Sequence, residues 1–307
     1  MKKIPVIIDA DTGIDDSVAL AVACYLKKLN ILLITSAQGN ASVENTTQNT
    51  LNILHAINKT SIPVAKGSGG NLSDVDITAG SHGATGLGNY AFPKHEFRSL
   101  NESAIQAIHN ALIKSSQPVT LIALGPLTNF AETLRQYPDD KKYIAKIVIS
   151  GGLNEILKEG KNPYLSFNIA EDSVAVEEII QSNIPLAIVP SNMGHDAYLT
   201  WHDVFRTKHT NKTGFMLEQI FRYYRDRHIK NGIATHDLCA ILAVATPIHF
   251  YWQKANIKIK YFNNLGYIDF DFLRIKNNST TNMVQVTTGC NVKKIKQIYF
   301  KALKHMP

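Results

Sequence analysis

Short apolar runs rich in β-branched residues recur along the first two thirds of the chain: Val6 to Ile8, Ile31 to Thr35, Ile62 to Ala65, Val119 to Leu124, Ile147 to Ile149 and Leu186 to Val189. Each is followed by a loop and a longer amphipathic stretch. Short apolar runs bounded by turn residues mark buried strands, and their alternation with helical periods marks βαβ units. The pattern predicts an α/β fold: an open, mostly parallel, Rossmann-like sheet flanked by helices. Helix starts are written at Asn101 before Glu102, and at Asp172 and Ser173 before Val174 to Ile180. After about residue 200 the pattern turns more helical, and residues 256 to 288 read as a few short extra strands before a last helix, Asn291 to Leu303. No repeat, low-complexity tract or Pro/Gly-rich linker interrupts the chain, so residues 1–307 read as a single domain.

Composition changes this picture little. At 45% hydrophobic and 19% charged residues the chain can bury a large core. The apolar run from Ile4 to Ile8 is cut by Asp9 and Asp11, too soon for a signal peptide or a membrane span. Cys24, Cys239 and Cys290 are odd in number and match no metal-ligand spacing, which reads as reduced core thiols in a cytoplasmic protein. The formal charge of +7 is spread, with lysines gathering at Lys293, Lys294, Lys296, Lys301 and Lys304. Without interleaved aromatics these read as a solvated helix face, and no nucleic-acid partner is expected.

The chemistry should lie beyond the carboxyl ends of the strands, where open parallel sheets bind ligands. Ile7-Ile8-Asp9-Ala10-Asp11-Thr12-Gly13-Ile14-Asp15-Asp16 places four carboxylates at the end of the first strand. Strand period puts Asp9 and Asp11 on one side, with Asp15 and Asp16 in the first turn of a helix running to about Lys27. Helix capping accounts for one or two of them. Carboxylates this close repel unless a cation stands among them. Oxygen-only ligands favour a hard ion, Ca²⁺ or Mg²⁺.

The spacing Asp9-x-Asp11-x-x-x-Asp15-Asp16 resembles the N-terminal signature of nucleoside hydrolases. An Asp-x-Asp opening also occurs in haloacid-dehalogenase-type phosphatases, which keeps a Mg²⁺-dependent phosphatase as an alternative, and a non-catalytic binder of ribosyl ligands is a second. The only later Asp-Asp pair, Asp139-Asp140, follows Pro138 at a helix end and fits the phosphatase poorly. Further loops resemble the hydrolase family in order, from residue 4 to about 240. They are Gly39-Asn40 opening a helix to about Ile57, His82-Gly83 in a Gly-rich stretch, Leu124-Gly125-Pro126-Leu127-Thr128-Asn129, Ser166-Phe167-Asn168 and Thr235-His236-Asp237-Leu238. Ordinary capping also fits Asn40, Thr128 with Asn129, and Thr235 with Asp237. Two positions depart from the family: Ser166 stands where it has Glu, and Asn192 where it often has Asp.

The resemblance implies hydrolysis of the N-glycosidic bond of a ribonucleoside, giving nucleobase and ribose, with calcium as cofactor. It implies calcium ligands Asp11, Asp16, Asp237 and the Leu124 carbonyl, with Asp11 as general base and His236 as proton donor to the base. Asp15, Asn40, Asn162, Asn168 and Asp237 fall on substrate-binding positions. His82, Tyr224 and His228 line the base pocket, the last two sharing a helix face with Tyr223 nearby. It also implies a homo-oligomer, dimer or tetramer.

Overall fold

A computed structural model of the chain describes residues 2–73, 80–88, 90–153, 162–224, 229–272 and 283–307. The first half runs β1 (Ile4–Ala10), α1 (Ile14–Ala23), β2 (Leu29–Ser36), α2 (Val43–Ala56), β3 (Val64–Lys66), α3 (Ala104–Lys114), β4 (Val119–Ala123), α4 (Thr128–Gln136) and β5 (Ile144–Ser150). Then come α5 (Phe167–Glu171), α6 (Ser173–Gln181), β6 (Leu186–Val189), α7 (Asn192–Asp196), β7 (Leu199–Thr200), α8 (Trp201–Lys208), α9 (Lys212–Phe221) and β8 (Gly232–Ile233). The chain ends with α10 (His236–Ala245), β9 (Phe250–Phe262), β10 (Leu265–Asp271), β11 (Met283–Cys290) and α11 (Val292–Leu303).

Among the described residues the main sheet has the order β10-β9-β11-β6-β5-β4-β1-β2-β3. The stretch from β3 to β6 is parallel throughout and has the doubly wound order. β11 adds in parallel to β6, and β9 and β10 extend it antiparallel. Strand alternation sorts the core into two layers. Ile7, Leu33, Leu121, Ile147 and Ile188 face α3, α4 and α6. Val6, Ile8, Ile34, Ile122 and Val148 face the layer of α1, α2 and α10. Every residue of α1 is buried, because α10 packs on it and closes its far side.

The expected architecture is present, with shifted boundaries. Ile62 belongs to a turn, bonding back to Lys59, and Pro63 has no N–H to give, so the third strand starts at Val64. α3 is capped by Ser103, whose Oγ accepts from Gln106 N, rather than by Asn101. α2 is capped by Ser42 rather than Asn40, and α1 stops at Ala23. Asp172 caps α6 as expected, accepting from Ala175 N. The late strands begin earlier and run longer than expected, since β9 alone has 13 residues. α9 ends at Phe221, so Tyr223 and Tyr224 follow the helix rather than ride on it, and His228 lies outside the described residues. No described helix is long and apolar enough to cross a membrane. The three cysteines are free, and burial pushes the Cys24 and Cys290 thiols up to about 12 and about 11.

Candidate active site

The carboxyl ends of β1, β2, β4, β5 and β6 open on one edge of the sheet, and their loops meet the starts of α5 and α10 there. A cavity of about 170 Å³ forms between them. Asp11 and Asp15 line it from the β1–α1 connection, Asn40 from beyond β2, Leu124 from beyond β4, and Ser150 and Gly151 from the end of β5. Asn168 on α5, His236 and Asp237 on α10, and His82 and Tyr224 complete much of the wall. The fold thus assembles side chains more than 200 positions apart in sequence, such as Asp11 and Asp237.

Hydrogen bonds hold one oxygen each of Asp11, Asp16 and Asp237. Asp11 Oδ2 accepts from Asn40 N (2.8 Å), and Asp16 Oδ2 accepts from Gly13 N (2.9 Å) and Asn40 Nδ2 (3.0 Å). Asp237 Oδ1 accepts from Ser150 Oγ (2.9 Å). Asp16 Oδ1 is buried and has no hydrogen-bond partner among the described residues. Oxygens of Asp15, Asp16 and Asp237 lie within 4.8 Å of one another. Burial, reinforced by the neighbouring carboxylates, pushes Asp16 up to about 8 and holds Asp11 and Asp237 well above the usual carboxylate range. Among the described residues that line the cavity there is no lysine or arginine to relieve that repulsion. A buried all-oxygen cluster with an orphaned carboxylate oxygen fits a divalent cation of the hard class.

Asp9 takes no part in the wall. β1 ends at Ala10, so strand period no longer governs Asp11, and the two side chains part company. Asp9 Oδ1 accepts from Thr35 Oγ1 (2.5 Å) and Asn129 Nδ2 (2.8 Å) beneath the site, and burial pushes it up to about 7.

Two histidines face the cavity in defined states. His236 Nδ1 lies 2.9 Å from the Ser191 carbonyl, which only accepts, so Nδ1 carries a proton. Its ring stands edge-on to His195, centroids 4.8 Å apart. Gly194 allows α7 to come this near, since a Cβ there would lie 2.6 Å from His236 N. His82 Nδ1 accepts from Ile14 N (3.0 Å), and burial lowers its pKa against the pull of Asp15.

Of the residues singled out from sequence, Asp11, Asp15, Asn40, His82, Leu124, Asn168, Tyr224, His236 and Asp237 line one cavity, and Asp16 sits buried behind them. Asn162 is exposed and is not among the lining residues. Asn168 Nδ2 donates to the Leu124 carbonyl and to the Ser150 carbonyl (3.0 Å), which ties α5 to the ends of β4 and β5. Capping survives for Asp16, which bonds back to Gly13 N, but not for Asn129 or Thr128. Asn129 reaches Asp9, and Thr128 Oγ1 bonds Asp172 (2.6 Å). Ser81, Ser150, Tyr164, Phe167 and Ser191 also line the cavity and were not singled out. Ser150 ends β5 and Ser191 follows β6, so the strand-end rule alone pointed to them.

Residues 6–297 match the family model for inosine-uridine preferring nucleoside hydrolase. The non-specific ribonucleoside hydrolase RihC of Escherichia coli (strain SMS-3-5 / SECEC) is 38% identical over 246 residues, 80% of each chain. RihC of Escherichia coli O157:H7 (strain EC4115 / EHEC) is 34% identical over 310 residues, covering 99% of this chain and 100% of the relative. A solved plant nucleoside hydrolase, PpNRh1, superimposes with a TM-score of 0.88 at 24% identity, over 98% of this chain and 99% of that one. This similarity runs along the chain and favours the hydrolase over the phosphatase: the chain belongs to the inosine-uridine preferring nucleoside hydrolase family.

Proposed function

We propose that this nucleoside hydrolase works with calcium, held by Asp11, Asp16, Asp237 and the Leu124 carbonyl, and uses Asp11 as base and His236 as acid. The observation that carries this reading is the convergence of buried carboxylates, one with an orphaned oxygen, on a cavity that His236 also lines. Asp16 and Asp237 belong both to this ligand set and to the tightest carboxylate group, in which Asp15 stands beside them. When bound, calcium supplies orientation and partial polarisation of the attacking water.

Asp11 accepts a proton from that water as its oxygen bonds to the anomeric carbon. The bond from that carbon to the base nitrogen breaks and its electrons leave with the base; His236, entering the step as imidazolium and keeping Nδ1–H on the Ser191 carbonyl, gives its Nε2 proton to the base and ends neutral. The ribosyl group develops positive charge in passing, as in other glycoside cleavage. Asp15, Asn40, Asn168 and Asp237 hold the 2′- and 3′-hydroxyls, so sugar binding favours the distorted transition state. Asn162 stands farther out, while His82 and Tyr224 border the base, where the family resemblance also assigns His228. Ser166 leaves the 5′ end facing a small neutral hydroxyl. The setting is a reducing cytoplasm, supported by the three free cysteines, with the enzyme a homo-oligomer and no nucleic acid as partner.

Comparing free-sugar release from uridine and 2′-deoxyuridine tests the sugar grip. The deoxynucleoside is expected to lose on the order of 10⁴-fold in kcat/KM, the scale on which a site built to bond a hydroxyl rejects its absence. Equal rates would remove Asp15, Asn40, Asn168 and Asp237 from that role.

A further inference from the structure

Two loops meet at the cavity, and one side-chain amide on α2 joins them. Asn49 is buried, and its Nδ2 donates to the Thr12 carbonyl (2.9 Å) in the carboxylate loop and to the Thr85 carbonyl (2.7 Å) in the Gly-rich segment. Carbonyls only accept, so these partners fix which end of the amide faces them. Gly86 has φ +84°, and a Cβ there would sit 2.9 Å from Asn49 Nδ2, so glycine is what lets the segment approach. The neighbouring Thr50 bonds Thr12 hydroxyl to hydroxyl (2.6 Å).

The Gly-rich segment also closes on itself. Gly88 N donates to the His82 carbonyl (2.9 Å) and Gly86 N to the Gly83 carbonyl (3.0 Å). His82 is therefore carried by a segment whose far end is pinned to α2. Its ring stands edge-on to Tyr224, centroids 5.5 Å apart, and Nδ1 accepts from Ile14 N (3.0 Å), two residues beyond Thr12. A main-chain N–H cannot accept, so Nδ1 keeps its lone pair and the proton of the neutral ring is on Nε2.

We infer that Asn49 is a positioning residue: by joining the Thr12 and Thr85 carbonyls through one amide, it keeps Ile14 N against His82 Nδ1 and fixes His82 as an Nε2–H donor to an acceptor atom of the bound nucleoside. The use of that donor rests on the proposed function; the tautomer does not. Asn49 is not among the described residues that line the cavity, so it acts through Ile14 and His82.

Histidine ¹⁵N spectra that separate the two tautomers test this directly, with His82→Ala identifying the resonance. The wild type is expected to show one Nε2–H tautomer at His82, and Asn49→Ala a mixture. A single unchanged tautomer in Asn49→Ala overturns the inference. If that variant does not fold, Gly86→Ala, which intrudes on the same amide, carries the same expectation and the same refutation. Kinetics add a second reading: Asn49→Ala should lower kcat/KM about tenfold in the wild type and cause no further loss in a His82→Ala background. Equal losses in both backgrounds overturn it. A wild type that hydrolyses no nucleoside would sink the proposed function, yet the spectra would still decide the role of Asn49.

Discussion

Asp11 is gripped between two stretches of main chain, which predicts a loss of activity from a substitution that removes no polar group. A Cβ on Gly125 would lie 2.7 Å from Asp11 Oδ1 and 2.9 Å from its Cγ, where ordinary contact begins near 3.4 Å. Gly125→Ala therefore demands a displacement of about 0.7 Å at the carboxylate, because packed interiors transmit such intrusions instead of absorbing them. The side chain cannot swing away freely. On its other side a Cβ on Gly39 would already crowd Oδ2, with Asp11 Cγ at 2.9 Å, and Asn40 N holds Oδ2 at 2.8 Å. A misplacement near 1 Å costs on the order of 10²-fold in rate, so Gly125→Ala should lower kcat by about 10- to 100-fold. Gly39→Ala should cost at least as much, with overpacking taking about 1–3 kcal/mol from stability in either variant. The assay is ribose release at saturating uridine and calcium, with a melting curve to establish that the variant is folded. A folded Gly125→Ala enzyme with undiminished kcat would refute the argument that Asp11 must sit where it does.

His236→Ala should lower kcat for nucleosides with poor leaving bases by about 10²-fold or more, the scale of general acid catalysis, while sparing activated leaving groups; equal losses on both would take the proton-donor role from His236. The chelated protein should become less stable as pH rises. Burial lifts Asp16 from 3.8 to about 8, so across that window the folded chain holds a proton the unfolded chain has released, and unfolding gains from higher pH. Melting temperatures after chelation should fall between about pH 5 and about pH 8, with calcium reversing the fall, and a flat profile would contradict it.

The sequence carried the sheet well because buried parallel strands leave a plain mark: Val119 to Leu124 and Leu186 to Val189 are apolar throughout, with nothing else to explain them. Helix starts were less legible, since Asn40, Asn101, Asn129 and Thr128 are good caps by chemistry. In the fold, Ser42 and Ser103 serve as caps, freeing Asn40 for the carboxylates. The carboxylate loop was readable from its charge density alone. His236 and Asp237 were not, as a Thr-x-Asp before an apolar helix is ordinary, and only resemblance set them apart. Asn49 left no local signal whatever: its two partners are carbonyls 36 and 37 positions away, visible only once α2 packs beside both loops.

Calcium-assisted hydrolysis with Asp11 as base is the proposal on which the other site roles rest. Its most direct test is free ribose released from uridine, cytidine and inosine by the chelated enzyme, before and after calcium is restored, with Asp11→Ala alongside. Release abolished by chelation, recovered with calcium and absent in the folded Asp11→Ala variant is the predicted result. Undiminished release after chelation, or none from any of the three with calcium present, would contradict it.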